Sequence, residues 1–298
     1  MRQKILVVGG TGFIGHNIIK SLSLKKYKLF SISKKIPHTK KIKGVHYIAC
    51  DITNFKKLKK KIIFSFDHII NLSGNINHSD KKGNFLSHYI GTKNLVNIFK
   101  SKKIISFIQI GSSLEYGNQT SPQNESQICR PIGSYAKSKL KASNYIQKIG
   151  KKKEFPYIIL RAYQIYGPGQ KKDRLIPITI DACYKNKKFN CTSGLQKRDF
   201  IFIEDFVNLI KKILIKKKIR KKVYNVGTGK PLSVKFVIKK IKSYLNSGKP
   251  QFGLIPMRKD ESKTLYPSIK KVSKDFKWSP RVNLSSGLKK TILSYGKS

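Results

Sequence analysis

The chain has 298 residues, of which 39% are hydrophobic, and 64 Lys and Arg against 14 Asp and Glu give a formal net charge of +50. This length is enough for a sizeable core in one large domain or two closely associated ones, and the hydrophobic content excludes a disordered chain. No apolar run reaches the roughly 18 residues of a transmembrane helix, so we expect no membrane span.

The basic excess consists almost entirely of lysine, because only eight arginines occur. Proteins that recognise nucleic acids usually depend on Arg for bidentate contacts, whereas lysine here is spread over nearly every segment. The composition therefore favours a coding bias on solvated faces over a dedicated polyanion site, and it disfavours nucleic acid as a partner. The charge is still expected to attract phosphorylated substrates.

The four cysteines form no C-x-x-C pair and no His cluster accompanies them, so neither a metal site nor a disulfide framework is predicted. Buried thiols in a reducing cytoplasm are the expected state. The N-terminal apolar run, Ile5 to Val8, is shorter than the core of a secretory signal. We therefore expect a cytoplasmic protein.

Short apolar runs alternate with helical patterns along the first part of the chain. Strands are predicted at 5–8, 28–33, 45–49, 68–72, 104–110 and from Tyr157, with helices after the first strand, at 86–99 and at 134–149. Strands that alternate with helices predict an α/β fold, a Rossmann-type doubly wound parallel sheet.

The pattern changes after Tyr166, where Gly167-Pro168-Gly169 interrupts the chain. A helix is predicted at 175–184, an apolar return to the sheet domain at 199–207, and short helices and loops from Pro231. We assign residues 1–167 and about 199–230 to a dinucleotide-binding domain, and 168–198 and about 231–298 to a smaller C-terminal lobe. That lobe is expected to bind substrate over the carboxyl edge of the sheet.

A glycine-rich loop follows the first strand and opens a helix, as the dinucleotide-binding fingerprint requires. Its sequence is Gly9-Gly10-Thr11-Gly12-Phe13-Ile14-Gly15, which fits G-x-G-x-x-G and a longer spacing of the same type. Glycines let the backbone approach a pyrophosphate, and the helix N-terminus supplies N–H groups and a positive dipole.

The end of the second strand indicates which dinucleotide is bound. An acidic residue there usually binds the ribose 2′-hydroxyl, but this strand ends in Ser33-Lys34-Lys35 without a carboxylate. A hydroxyl and two lysines suit a 2′-phosphate, with Ser33 and Lys34 as the predicted contacts. NADP(H) is therefore predicted over NAD(H), which stays open as the alternative.

Three residues form the predicted catalytic group: Ser112 after the fifth strand, and Tyr135 and Lys139 at the start of a helix. The i, i+4 spacing puts the tyrosine and the lysine on one helix face. A neighbouring ammonium lowers the pKa of a phenol, which can then exchange a proton with a sugar oxygen. Tyr-x-x-x-Lys alone is weak, since Tyr184-x-x-x-Lys188 matches too; the order of glycine loop, serine and Tyr-x-x-x-Lys is the stronger signal.

Together these residues resemble the extended short-chain dehydrogenase/reductase family, the nucleotide-sugar epimerases, dehydratases and reductases, over essentially the whole chain. The motifs that carry the resemblance are the glycine loop, Asp51-Ile-Thr53, Asn71-Leu-Ser-Gly74, Gly111-Ser-Ser-Leu-Glu-Tyr-Gly117, Tyr135-x-x-x-Lys139, Arg161-Ala-Tyr-Gln-Ile-Tyr-Gly-Pro-Gly-Gln170, Arg198-Asp-Phe-Ile-Phe-Ile-Glu-Asp205, Tyr224-Asn-Val-Gly-Thr-Gly229 and Trp278-Ser-Pro280.

The resemblance implies further roles for matching residues. Cofactor contacts are implied for Gly9, Thr11, Gly12, Phe13, Ile14, Gly15, Asp51, Ile52, Leu72, Ser73 and Gly74, together with Tyr135 and Lys139. Binding of a nucleotide-diphosphate sugar is implied for Ser113, Gln164, Arg198, Arg258 and Glu261. It also implies a homodimer and no metal.

Departures from the family pattern narrow the expected reaction. Dehydratases of this family carry acidic residues directly after the catalytic Ser or Thr, whereas Ser113 and Leu114 stand here and Glu115 is out of step. Three segments, residues 166–169, 191–200 and 252–261, resemble 4-keto-6-deoxysugar reductases of the CDP-abequose synthase type, and this resemblance implies surface-polysaccharide synthesis. His88 stands where relatives often have Asn.

The leading prediction is therefore an NADPH-dependent 4-keto-6-deoxysugar reductase. A nucleotide-sugar 4-epimerase using the same residues is the alternative. A non-catalytic nucleotide- or RNA-binding protein is the more distant one, which the intact Ser112, Tyr135 and Lys139 oppose.

Overall fold

The computed structural model describes residues 2–36, 41–216, 220–257 and 261–295. Two compact units can be distinguished. The first comprises Met1–Gly117, Ile128–Arg161 and Val207–Tyr224, and the second comprises Asn118–Gln127, Ala162–Phe206 and Asn225–Ser298.

The elements follow one another in a largely alternating order. The strands are β1 (Gln3–Val8), β2 (Tyr27–Ser33), β3 (Val45–Ala49), β4 (His68–Asn71), β5 (Ser106–Ser112), β6 (Tyr157–Ala162), β7 (Gln164–Tyr166), β8 (Lys188–Cys191), β9 (Lys197–Phe202), β10 (Lys222–Val226), β11 (Pro231–Ser233), β12 (Lys249–Phe252) and β13 (Thr264–Leu265). The helices are α1 (Phe13–Ser21), α2 (Phe55–Lys61), α3 (Lys81–Asn84), α4 (Gly91–Phe99), α5 (Gly133–Lys153), α6 (Leu175–Tyr184), α7 (Ile203–Ile215), α8 (Val234–Leu245), α9 (Lys270–Phe276) and α10 (Leu284–Tyr295). A π-helical segment, Phe85–Ile90, joins α3 to α4, and a 3₁₀ turn, Ser113–Tyr116, follows β5.

Within the described residues, the large sheet has seven strands in the order β10-β6-β5-β4-β1-β2-β3. Strands β1, β2, β3, β4 and β5 pair in parallel, with Val8 opposite Asn71 and Asn71 opposite Gln109. This arrangement confirms the predicted doubly wound parallel sheet. Because the strands are parallel, the segments that follow Val8, Ser33, Asn71 and Ser112 all begin at the same edge of the sheet.

The core of the first unit explains why the central strands form. Strand β1 is buried along Ile5 to Val8, and β4 is buried along its whole length, as strands covered on both faces must be. One face packs a cluster that includes Leu6, Phe30, Phe66, Phe99 and Phe107. Burying each such side chain stabilises the fold by about 1.5–3 kcal/mol.

The second unit contains smaller sheets. Strand β9 pairs with β11, β13 and β7, and β12 pairs with β8. The strand that contains Asp199 therefore belongs to this sheet, and the chain re-enters the first unit at Val207, at the end of the apolar pattern at 199–207. The apolar run at 199–207 is not a single element, because it combines the end of β9 with the first turn of amphipathic α7.

Two motifs of the second unit are held by buried aspartates. The carboxylate of Asp199 accepts hydrogen bonds from the backbone N–H groups of Thr228, Gly229 and Lys230 at 2.7–3.2 Å. The carboxylate of Asp205 accepts from the backbone of Arg281 and Val282, both at 2.9 Å. These contacts assign the two aspartates to loop anchoring.

Candidate active site

The glycine loop connects β1 to α1 in a conformation that depends on its glycines. Gly9 has φ +81°, in the left-handed region that favours glycine. A Cβ on Gly15 would lie 2.4 Å from the carbonyl oxygen of Gly9, so only glycine lets the helix pack on the loop. Gly12 is the N-cap of α1 and has no side chain that could cap the helix. The first N–H groups of α1 are thus suited to an anion, and the loop fits a dinucleotide pyrophosphate.

The loop side chains differ in exposure. Thr11 is exposed, and Phe13 and Ile14 are half-buried. The Thr11 hydroxyl lies 2.9 Å from the hydroxyl of Ser33 at the end of β2. The structure therefore brings the loop and the end of the second strand together, as the sequence predicted.

Lys34 has a partner that the sequence did not indicate. Its Nζ lies 3.0 Å from Oδ2 of Asp51, and the two side chains are 70% and 39% exposed. The pair forms because β2 and β3 are parallel neighbours, with Ser33 opposite Ala49. Burial alone would raise the pKa of Asp51, but hydrogen bonds from Thr53 and Lys34 lower it below its ordinary value. A carboxylate is therefore present at this edge, supplied by the segment that follows the third strand.

The segment after β4 lies against the glycine loop. The backbone N–H of Leu72 donates to the carbonyl of Val8 at 2.9 Å, and a Cβ on Gly9 would lie 3.2 Å from the Leu72 backbone. The Ser73 hydroxyl donates to Oδ1 of Asn71 at 2.5 Å. Gly74 has φ +159°, and its Cα packs on the ring of His88.

Ile52 is more deeply buried than Leu72, Ser73 and Gly74. It is 6% exposed, and a Cβ on Gly91 would lie 2.5 Å from its side chain. Its carbonyl accepts a hydrogen bond from Asn94 at 2.9 Å. Helix α4 therefore fixes the backbone of this residue.

The three predicted catalytic residues lie on β5 and α5. Ser112 ends β5, is buried, and accepts a hydrogen bond from Leu114 N at 3.2 Å. Tyr135 and Lys139 are one turn apart on α5, with Nζ 5.9 Å from the phenol ring centroid. The same Nζ donates to the carbonyl of Ile110 at 2.8 Å, which connects α5 to the strand that carries Ser112.

Lys139 is the most strongly perturbed cation of this group. It is only 5% exposed, and burial lowers its pKa to about 8, against a smaller raising effect of Glu115. The ammonium and the neutral amine are therefore both accessible near neutral pH. Perturbed groups of this kind cluster at functional sites.

Glu115 forms a buried hydrogen bond and an ion pair that were not predicted from the sequence. Its carboxylate is fully buried, accepts from Ser112 N at 2.9 Å, and pairs with Nε of Arg161 at 3.0 Å. Ser112 and Glu115 form a capping box around the 3₁₀ turn. The Ser-x-x-Glu spacing could have revealed this role. Ser113, in the same turn, is 3% exposed.

The second unit contains the other predicted binding residues. Arg198 and Glu261 form a close ion pair, with Nη2 to Oε1 at 2.6 Å and exposures of 9% and 17%. Gln164 begins β7 and is exposed. Arg258 lies outside the described residues, so the predicted arginine pair has only one described member.

Two further findings bear on ligands. Among residues 2–36, 41–216, 220–257 and 261–295, no group of three or more His, Cys, Asp and Glu side chains is arranged to hold a metal ion. Over the same ranges, no helix combines the length and the apolar character that crossing a membrane requires.

Comparison with known proteins identifies the family. The family model described as the NAD dependent epimerase/dehydratase family matches residues 5–227, which includes β1, the glycine loop and α5. The chain belongs to this family. It is accordingly an enzyme of the nucleotide-sugar epimerase and dehydratase class, as the sequence resemblance implied.

Individual family members resemble the chain at low identity. A dTDP-D-glucose 4,6-dehydratase of Dictyostelium discoideum is 32% identical over 272 residues. The aligned region covers 80% of this chain and 61% of that relative. A CDP-abequose synthase of Salmonella muenchen is 25% identical over 303 residues, covering 98% of each chain. The structure of the UDP-glucuronic acid 4-epimerase of Bacillus cereus, in complex with UDP-glucuronic acid and NAD, superposes with a TM-score of 0.90 at 26% identity and covers 99% of each chain.

Proposed function

We propose that this family member is an NADPH-dependent reductase of a nucleotide-activated 4-keto-6-deoxysugar. The observation that carries the proposal is the state of Glu115, the nearest acidic residue in sequence to Ser112. Its two carboxylate oxygens are occupied by Ser112 N and Arg161, so they are unsuited to abstracting a proton from a sugar. This disfavours dehydration and leaves carbonyl reduction and epimerisation.

In the proposed reaction, Tyr135 donates a proton to the keto oxygen as it becomes an alkoxide. Ser112 hydrogen-bonds the same oxygen, and Lys139 stabilises the phenolate that forms on Tyr135. When bound, the reduced nicotinamide supplies the hydride. The buried position of Lys139 strengthens its electrostatic effect, because the surroundings screen its charge weakly.

The cofactor would be held by four segments at the carboxyl edge of the sheet. The glycine loop residues Gly9, Thr11, Gly12, Phe13, Ile14 and Gly15 would bind the pyrophosphate side. Asp51 and Ile52 would contact the adenine, and Leu72, Ser73 and Gly74 would line the dinucleotide. Ser33 and Lys34 support a 2′-phosphate and hence NADP(H), while the Asp51 partner of Lys34 supports retaining NAD(H) as the alternative.

The substrate would bind through five polar or charged residues. Ser113, Gln164, Arg198, Arg258 and Glu261 are the proposed contacts. The CDP-abequose synthase relative, aligned over 98% of each chain, supports a nucleotide-diphosphate deoxysugar as substrate and a place in surface-polysaccharide synthesis. The same proposal includes the predicted domains, with residues 1–167 and about 199–230 binding the dinucleotide and residues 168–198 and about 231–298 binding the sugar. It also includes a homodimer formed through the helices around Tyr135.

A nucleotide-sugar 4-epimerase is the second candidate. The Bacillus cereus 4-epimerase, with NAD in its structure and a TM-score of 0.90, specifically favours it. An epimerase retains its cofactor and catalyses no net redox change, whereas a reductase consumes NADPH.

The two candidates are separated by assaying a panel of nucleotide 4-keto-6-deoxysugars with NADPH and with NADH. Steady oxidation of NADPH that depends on the keto-sugar supports the reductase. Conversion of a UDP- or GDP-sugar into its 4-epimer without loss of NADPH, together with no keto-sugar reduction, supports the epimerase.

A further inference from the structure

Two histidines enclose the ring of Tyr135 in the first unit. The imidazole of His78 stacks on the phenol with centroids 4.3 Å apart and planes only 11° from parallel. The ring of His88 meets the same phenol edge-on, at 4.9 Å and 84°. A face contact and an edge contact together restrict both tilting and rotation of the ring.

The loop that carries His78 is tied to its surroundings through its backbone. The carbonyl of His78 accepts hydrogen bonds from Nδ2 of buried Asn84 at 3.3 Å and from the Ser134 hydroxyl at 3.2 Å. Ser134 directly precedes Tyr135 on α5, and Asn84 also donates to the Ser134 hydroxyl at 3.1 Å. These hydrogen bonds among His78, Asn84 and Ser134 therefore fix the backbone of His78 relative to the helix that carries Tyr135.

His88 holds the beginning of this loop. Its Nε2 lies 2.8 Å from the carbonyl of Asn75, so Nε2 carries the proton and donates. Burial, together with the charge of Lys139, lowers the pKa of His88 to about 3, which keeps the ring neutral. A neutral donor at this position can fix Asn75 while presenting an uncharged ring edge to Tyr135.

We propose that His78 is a positioning residue for Tyr135. The imidazole of His78, stacked on the phenol, fixes the direction of the Tyr135 hydroxyl. The inference rests on the proposed function, in which that hydroxyl is the proton donor. Loss of the stack leaves Tyr135 present but free to adopt other ring orientations. Small losses of alignment between reacting groups reduce rates strongly, by up to about a hundredfold for roughly 1 Å.

The test compares His78→Leu, which removes the aromatic face, with His78→Phe, which keeps it without the ring nitrogens. His46→Leu is the matched control, because His46 stacks on Phe30 in the same way, at 4.8 Å and 19°, on strand β3. We expect His78→Leu to lower kcat by roughly ten- to a hundredfold. NADPH affinity should stay within about twofold, since His78 is not among the proposed cofactor contacts. His78→Phe should restore most of kcat, and His46→Leu should leave it unchanged.

A substrate-free measurement separates this inference from the proposed function. In protein labelled with ¹³C at the tyrosine rings, the signal that disappears in Tyr135→Phe belongs to Tyr135. His78→Leu should shift that signal by removing the ring current of the imidazole, and His46→Leu should not.

Each outcome bears on one of the two claims. An unshifted Tyr135 signal in His78→Leu, wild-type kcat in that variant, or failure of His78→Phe to recover kcat overturns the positioning role. Absence of turnover by the wild-type protein with every keto-sugar rejects the proposed function instead, and the labelled spectra still decide whether the stack exists.

Discussion

At the scale of single residues, the central pair is Tyr135 and Lys139, which share a face of α5. The phenol is the proposed proton donor, and the buried ammonium is the charge that stabilises it once deprotonated. Both residues belong to the first unit, and each role can be tested by a single substitution there.

Replacing Tyr135 with Phe should remove most activity and leave cofactor binding nearly unchanged. General acid catalysis of this kind contributes roughly 10²–10⁴-fold, and we expect a loss of that order in kcat. Steady-state kinetics and NADPH titration check the two parts. Full activity in Tyr135→Phe would reject the assignment of the proton donor.

The activity should fall as the pH rises through about 8. Burial lowers the pKa of Lys139 to about 8, so above this value the amine is neutral and no longer stabilises the phenolate. Folding stability should instead rise with pH, because between the lowered pKa and the ordinary lysine value of 10.5 the unfolded state binds more protons than the folded state. A profile of kcat/KM against pH that stays flat through pH 8 is incompatible with this role.

The cofactor preference should depend on Lys34. Replacing it with Ala removes one charged contact to a 2′-phosphate, which is expected to weaken NADPH binding by roughly tenfold and to leave NADH binding unaffected. Lys35→Ala is the control, since Lys35 is a neighbouring exposed lysine that is not among the predicted cofactor contacts. If Lys34→Ala weakens both cofactors equally, or neither, the predicted NADP(H) preference has lost its basis.

At the scale of elements, the 3₁₀ turn after β5 depends on a buried ion pair. Glu115 and Arg161 have side-chain exposures of 0% and 5%, so removing the carboxylate leaves a buried guanidinium without its charge partner. We expect Glu115→Gln to lower the free energy of unfolding by ~3–5 kcal/mol. The control Glu204→Gln disrupts a half-exposed pair with Lys290 and should cost only ~0–1 kcal/mol.

Chemical denaturation of the two variants measures both effects. Equal stability of Glu115→Gln and Glu204→Gln would show that the buried pair does not hold the turn. Folded Glu115→Gln should stay active, because Glu115 is assigned no chemical step. Its activity should fall at a lower pH than that of the wild type, because the charge of Glu115 raises the pKa of Lys139.

Local patterns were enough to predict the elements that frame the site. The strand before Gly9, the strand that leads to Ser112, and the helix of Tyr135 each have a periodicity or a motif within a short window. The predicted start of α5 at Ser134 differs from the observed start, Gly133, by one residue, although its end at Ile149 falls short of Lys153.

The remaining features depend on contacts between distant segments. Lys34 meets Asp51 only because β2 and β3 are neighbours, and His78 meets Tyr135 across 56 intervening residues. The small sheet around β9 combines four short strands from separate parts of the second unit. No single-sequence pattern specifies such pairings, because strand order is set by the packing of the whole unit.

At the scale of the whole molecule, the dominant property is the net charge of +50. A charge this far from zero destabilises the compact state through self-repulsion. Added salt screens that repulsion, with a Debye length of roughly 10 Å at 0.1 M, so we expect the thermal midpoint to rise with ionic strength. For a chain of this size, each kcal/mol of relieved repulsion should raise the thermal midpoint by at most about 2–4 °C.

Thermal unfolding in a salt series checks this expectation, with potassium sulfate and potassium chloride compared at equal ionic strength to separate screening from specific anion binding. A midpoint that falls with salt would mean that surface ion pairs outweigh the repulsion among lysines. It would also contradict the interpretation of the lysines as solvated, mutually repelling charges.

The most direct test of the proposed function follows the near-ultraviolet absorbance of NADPH with a nucleotide 4-keto-6-deoxysugar, for the wild-type chain and Tyr135→Phe side by side. A reductase oxidises one NADPH for each keto-sugar reduced, and Tyr135→Phe loses most of this activity. Unchanged NADPH with every keto-sugar, while a nucleotide sugar is converted to its 4-epimer, would contradict the proposal.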